Sequence, residues 1–372
     1  MTALLKAESM HASPGLWLLA WRRVRADRMA MASLAVVAAF LLMLVLSASG
    51  LIVADWEDEV ALSYAPPTFL GAQGAAAGTA PAADAGQPAT PVNLFDPLAE
   101  AIGELKAELA AGQGGTGAPL GMYGGDLARR RQGERRAGHA LPAAQRRASL
   151  LFGADKWGHD IIKKTVKGGE TSIVVGLVAA LLAVALGTVF GALSGYYGGL
   201  VDDFFNWFYS IFTAIPSVLM ILAVAAVLQR QGVLSMVLIL GLTGWTGPYR
   251  LIRAEYIKHK AREYVMAADA IGASDWRKMF HHIFPNVSHV ALVQMSILVV
   301  GFIKAEVILS FLGFGVPVGV VSWGSMLNEA QNELLLGRWW QLSAAAIAMA
   351  LLVTAFSLFT DALRDALDPK IQ

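Results

Sequence analysis

The chain has 372 residues, 56% of them hydrophobic and 15% charged, against roughly 25% charged in an ordinary soluble protein, so a water-soluble fold could not hide its apolar surface. A formal net charge of +1 argues against a nucleic-acid partner, which calls for Lys and Arg gathered on an exposed face. The absence of cysteine excludes disulfides, thiolate metal sites and cysteine nucleophiles, while 10 Trp and 37 Gly suit a bilayer protein, with Trp at the interfaces and Gly where helices pack closely.

A helix needs about 20 apolar residues to cross the hydrocarbon core, so stretches free of Asp, Glu, Lys and Arg mark the spans. Five are uninterrupted: 29–54, 171–201, 204–229, 231–249 and 339–360. A sixth, about 288–311, is broken only by Lys304 and Glu306. The prediction is an all-α integral membrane protein with six transmembrane helices. The first stretch, at 26 residues, far exceeds the apolar region of a cleavable signal and reads as an anchor that stays.

Orientation follows from Lys and Arg in the short loops. The N-terminal tail, 1–28, carries five: Lys6, Arg22, Arg23, Arg25 and Arg28. The loop 250–285 carries seven, and the connection 312–338 only Arg338. Both termini, including the tail 364–372, and the loop 250–285 are therefore expected in the cytoplasm. The segment 55–170 is expected outside, because loops of that length cross largely regardless of charge. The remaining spans form a core over 171–363.

Within the exterior segment, residues 71–93 include 16 Ala, Gly or Pro among 23, a composition predicted to stay disordered. Asp96-Pro97 followed by Leu98, Ile102, Leu105 and Leu109, with Gly112 as terminator, predicts a short amphipathic helix. A basic stretch from Arg129 to Arg147 reads as a solvated charge run.

The cytoplasmic loop holds the most informative motif. Glu263 begins a helical stretch containing Ala267, Ala268 and Asp269, followed by Gly272, Ala273 and Ser274, with Pro285 thirteen positions after the glycine. Helical spacing brings Ala267, Ala268 and Gly272 together, and side chains that small would let another protein approach the backbone. This resembles the coupling loop of bacterial ABC importer permeases, whose pattern is Glu-Ala-Ala, three residues, Gly, nine residues, Ile, one residue, Leu-Pro. Met266 stands where that pattern has Glu, Phe284 where it has Leu, and His282 at the isoleucine position.

Other segments extend the resemblance over about 300 residues and point to the C-type permease of dipeptide, oligopeptide and nickel importers. They are Leu19-Ala20-Trp21-Arg22-Arg23, Phe152-Gly153-Ala154-Asp155 with Gly158-His159-Asp160, Gly241-Leu242-Thr243-Gly244-Trp245, Leu309-Ser310-Phe311-Leu312-Gly313, and Ser322-Trp323-Gly324-Ser325. The stretch from about 71 to 148 has no counterpart in that family and reads as an insertion. The resemblance implies the type I importer permease fold in a bacterial inner membrane. It also implies partnership with a homologous permease as a heterodimer, two cytoplasmic ATPase subunits that hold ATP and Mg, and a periplasmic substrate-binding protein.

Charges inside an apolar span are costly and need a reason. Lys304 and Glu306, two apart on a helix, point in different directions and do not pair. Lys304 has two readings, snorkelling to the outer interface or lining the pathway or the partner subunit; Glu306 is expected to face inward or an interface. Pro216 and Pro248 are kink candidates, and Trp245 and Pro216 are candidates for the pathway or subunit interface. Asp155, His159 and Asp160 lack a second nearby histidine, so no metal site is expected. There is no phosphate-binding Gly-x-x-x-x-Gly-Lys-Ser/Thr loop, so the chain is not expected to be an enzyme, to bind a cofactor or to have a catalytic residue. The rival readings are an ion-gradient transporter and a membrane-anchored sensor.

Overall fold

The computed structural model describes residues 16–70, 146–228, 232–317 and 319–367. The disorder predicted for 71–93, the amphipathic helix at 98–109 and the basic run up to residue 145 lie outside the described residues. Among those described, every regular element longer than a β-bridge is helical.

The helices in chain order are α1 (Leu16–Ala26), α2 (Arg28–Ala48), α3 (Ile161–Tyr197), α4 (Gly199–Ala214), α5 (Ser217–Leu228), α6 (Val233–Thr243), α7 (Thr246–Lys260), α8 (Glu263–Ala270), α9 (Asp275–Phe311), α10 (Trp323–Leu335) and α11 (Trp340–Leu367). Four of them, α2, α3, α9 and α11, are long and apolar enough to cross a membrane. The pair α4 and α5 makes a fifth candidate only if its two halves, bent by 92°, count as one broken span.

Two predicted spans are altered. Stretch 204–229 breaks at Ile215-Pro216 between α4 and α5, because Pro216 has no N–H to continue the ladder and forces the residue before it into extended backbone; Ile215 has φ −103° and ψ 132°. Stretch 231–249 is not one helix. It divides at Gly244 and Trp245 into α6 and the start of α7, and Pro248 sits in the first turn of α7 instead of closing a span, a position where a missing N–H costs nothing.

α3 is the central post. Asp160 caps it, its side chain accepting from the Ile162 N–H at 2.8 Å, and its 37 residues rise about 55 Å, well beyond the roughly 30 Å of hydrocarbon. Its small residues form a stripe: Gly187, Gly191 and Gly195 lie against the backbone of α7 at Trp245, Tyr249 and Arg253. On another side Gly176 abuts Ile303 of α9. One core joins α3, α6, α9, α10 and α11 around Ile173, Leu240, Ile303, Trp323 and Leu352. A second joins α3, α7 and α9 around Tyr196, Ile252, Tyr256, Met279 and Ile283.

At the end of the bundle where α3 begins, residues 60–68 run beside 147–150, with the Thr68 N–H donating to the Leu150 carbonyl at 2.8 Å and the Leu62 N–H to the Arg147 carbonyl at 3.0 Å. Residues 60–68 and 147–150, described on either side of residues 71–145, thus belong to one cap. Arg146 pairs with Glu59 at 2.8 Å. Beneath the cap lies a buried ion cluster: Lys164 of α3 reaches Asp155 at 2.7 Å and Glu329 of α10 at 2.6 Å, and His159 Nδ1 lies 2.9 Å from Asp155. Burial alone would push the Asp155 carboxyl up, but His159 and Lys164 outweigh it and hold it well below the usual carboxylate range. Trp340 and Trp323 add indole N–H bonds to the Ala154 and Thr165 carbonyls, both at 2.9 Å.

Glu333 of α10 sits inside this cluster with neither carboxylate oxygen hydrogen-bonded among the described residues. Burial pushes its carboxyl up to about 7 from 4.5, with Lys164 opposing and Asp155 and Glu329 reinforcing. Between those values the folded chain holds a proton that the unfolded chain has lost, so stability falls as pH rises through the window. Glu333→Gln is expected to flatten that dependence and to raise the melting temperature at pH 8 by a few degrees, with little change at pH 5. Thermal melts of both chains in detergent at the two pH values check this; an equal difference at both would refute it.

Candidate functional site

The site is at the opposite end of the bundle, where α7, α8 and the first turns of α9 meet the end of α3. Glu263 opens α8, its carboxylate exposed at the helix N-terminus, where negative charge is favoured. α8 closes at Gly272, whose φ of +82° is the left-handed conformation that glycine adopts without strain. The Gly272 N–H donates to the Asp269 carbonyl at 2.9 Å and the Ala273 N–H to the Ala268 carbonyl at 3.0 Å, the paired bonds of a Schellman ending. The motif's glycine is thus a helix stop. Ser274, also exposed, caps the next turn by accepting from the Arg277 N–H at 3.4 Å.

The two faces of α8 differ. Val265 and Ala268 are buried, so Ala268, expected to face a partner, packs on the chain's own core. Ala267 is exposed. In the same loop Met266, Ile271 and Trp276 are 55%, 84% and 67% exposed. Sequence reading named Met266 only as a departure from the motif and passed over Ile271 and Trp276; the available signal was large apolar side chains flanking Gly272.

The loop is held from behind by ion pairs. Lys278 Nζ lies 2.5 Å from Asp269 and 3.0 Å from Asp275. The Tyr196 hydroxyl donates to Asp275 at 2.7 Å, and Lys260 Nζ donates to the Tyr196 carbonyl at 2.6 Å. Residues Lys278–Ile283 form a π-helical segment that the Tyr256 hydroxyl holds by donating to the Met279 carbonyl at 3.1 Å. Pro285, exposed in the turn that follows, cannot donate to His281, and just upstream the ladder runs i→i−5, with the Phe284 N–H on the Met279 carbonyl, an arrangement common at functional breaks.

The four residues assigned to a pathway or interface are not brought together. Trp245 is buried among Phe190, Phe208, Phe212 and Tyr249, with ring centroids 5.3–5.5 Å away. Glu306 is fully buried and accepts from Ser172 at 2.7 Å and Ser310 at 2.6 Å, so it braces α9 against α3. Lys304 is exposed, on the face of α9 that also exposes Ile297 and Ile308. Pro216 is exposed at the bend between α4 and α5.

Residues 187–372 match the model of the binding-protein-dependent transport system inner membrane component. Residues 15–67 match that of the N-terminal transmembrane domain of oligopeptide transport permease C. The chain is 35% identical over 225 residues, 60% of its length and 70% of the relative's, to the dipeptide transport system permease protein of Bacillus subtilis (strain 168). It is 36% identical over 221 residues, 59% of its length and 72% of the relative's, to the oligopeptide transport system permease protein of the same organism. With the dipeptide transport system permease protein of Lactococcus lactis subsp. cremoris (strain MG1363) it shares 28% identity over 284 residues, 76% of its length and 80% of the relative's. By the family model across its second half and by these relatives, the chain belongs to the inner-membrane components of binding-protein-dependent transport systems.

Proposed function

We propose that this permease is one of two homologous subunits, paired as a heterodimer, that together enclose the pathway of an ATP-driven importer. Its six crossings are α2, α3, α4 with α5, α6 with the start of α7, α9 and α11. Both termini and the loop 250–285 lie in the cytoplasm of a bacterial cell, and residues 55–170, with their insertion at about 71–148, lie outside the inner membrane. Two ATPase subunits below hold ATP and Mg and do the hydrolysis; the chain itself is non-catalytic. A periplasmic binding protein delivers the cargo from above. Peptides are the proposed cargo, on the likeness to dipeptide and oligopeptide permeases. The exposed face of α9 at Lys304 and the bend at Pro216 meet the pathway or the partner subunit, while Trp245 and Glu306 support them from within.

The observation that carries this reading is the set of exposed apolar side chains, Met266, Ala267, Ile271 and Trp276, on a loop that Tyr196 ties to α3 through Asp275. Apolar surface of that kind costs free energy in water unless a partner covers it, and the partner proposed for it is the ATPase. Ile271→Asp alters a side chain that the fold does not use. Removing a central apolar anchor costs about 2 kcal/mol or more, about 30-fold in affinity, so the ATPase should co-purify with the native chain and be lost from the variant while the second permease remains. Retention of the ATPase by the variant would refute the docking face.

A further inference from the structure

Four helices bring five residues to one small cluster at the end of α3: Tyr196 from its last turn, Lys260 from the last turn of α7, Asp269 from α8, and Asp275 and Lys278 from the first turns of α9, Lys278 in its π-helical segment. Lys278 is the hub. It is buried to 8% exposure, touches both carboxylates, and its ammonium lies 6.0 Å from the centre of the Tyr196 ring. Lys260 approaches the same ring at 5.3 Å and binds the Tyr196 carbonyl. The two aspartates are largely exposed, at 69% and 53% of their side-chain surface, and pairs of that kind contribute little to stability. What they supply is direction. Through Lys278 the helix bearing the docking face is tied at one end to Asp275 and, through the Tyr196 hydroxyl, to the 37-residue α3.

Resting on the coupling role proposed for the loop, we propose that Lys278 and Tyr196 are positioning residues that pass displacement of α8 to α3. Val265 and Ala268 alone would let α8 roll on its apolar contacts, because packing of that kind has no fixed direction. Hydrogen-bonded charges fix both distance and angle. A push on Met266, Ile271 and Trp276 therefore moves the end of α3, and α3, unbroken to Ile161, carries the movement across the bundle to the buried cluster at Lys164.

The test uses the complete importer in lipid nanodiscs, with the native chain, Lys278→Met, Lys278→Arg or Tyr196→Phe. Retention of the ATPase, its hydrolysis rate and the ATP-dependent change in hydrogen exchange across residues 161–197 are measured together. Lys278→Met and Tyr196→Phe are expected to keep the ATPase and a near-native melting temperature, while the ATP-dependent change in α3 falls about fivefold or more, the size of a typical coupling between sites; Lys278→Arg keeps most of it. Should Lys278→Met not assemble, Tyr196→Phe, which removes one hydroxyl, decides. An undiminished change in α3 in the variants overturns the inference, as does a native complex in which ATP leaves α3 unchanged, or a folded variant that sheds its ATPase. A native chain that holds no ATPase sinks the coupling reading itself, an outcome distinct from a bound ATPase with α3 indifferent to Lys278.

Discussion

Gly191→Leu is expected to abolish the folded, monodisperse protein in mild detergent. A Cβ at this position would stand 2.8 Å from the Tyr249 carbonyl oxygen, 3.0 Å from the Arg253 nitrogen and 3.0 Å from the Ile252 Cβ. Two of the three obstacles are backbone of α7, which cannot rotate aside as a side chain can, so α3 and α7 must separate. Separation strips contacts from Tyr196, Ile252 and Tyr256 together, which puts the cost above the about 1–3 kcal/mol of ordinary overpacking. It also disturbs the bidentate pair of Arg253 with Asp202, in which Nε and one Nη each donate at 2.6 Å. Gly301→Leu is the control, since a Cβ there meets nothing within 4 Å. Size-exclusion profiles and melting temperatures of the two variants should diverge widely. Equal behaviour would mean that the stripe of Gly187, Gly191 and Gly195 is not the seam on which the bundle closes.

The second large effect is expected at the other end. Lys164→Met leaves Asp155, which is fully buried, and Glu329 without their shared cation, and breaking a buried pair by removing one partner costs about 3–5 kcal/mol. The backbone N–H groups of Trp157 and His159 still bind Asp155, at 2.8 Å and 3.0 Å, so the loss falls mainly on the joint between the cap, α3 and α10. Adding Asp155→Asn and Glu329→Gln should restore a good part of the stability, because no uncompensated charge is then left buried. Thermal melts of the single and triple variants test this, and a single variant as stable as the native chain would refute the cluster's role.

Some of this was legible in the residues. Charge-free runs of about 20 residues find the bilayer, because every ionised group in hydrocarbon must be explained; α2 and α11 lie where such runs lie, and α9 where a run is broken only by Lys304 and Glu306. The same counting misplaces helix ends. α3 starts at Ile161, ten residues before the predicted span, because Lys163, Lys164, Lys167 and Glu170 are barred from the hydrocarbon and not from the helix. Pro216 and Gly244 mark breaks by chemistry legible in one residue, whereas the 92° angle at the first of them does not follow from a proline alone.

The loop divides in the same way. Glu263, Gly272, Ser274 and Pro285 have roles set by local backbone rules, as a helix opener, a left-handed stop, a cap and a missing donor, and spacing is enough to find them. Whether Ala267 or Ala268 faces outward depends on which side of α8 the bundle takes. The burial of Ala268 has no local signature, and the large apolar side chains of Ile271 and Trp276 do not by themselves say that they stay exposed.

By itself the sequence determined that the chain is an α-helical membrane protein and where its apolar segments lie, because hydrophobic run length acts over a few turns. The tertiary structure alone decided which small residues became a seam, that Glu306 is a brace, and that Lys164 meets Glu329 and Lys278 meets Asp269 and Asp275 beside Tyr196. Those pairings join residues up to 165 positions apart, and their energies exist only once burial has removed the water that would otherwise satisfy each group separately.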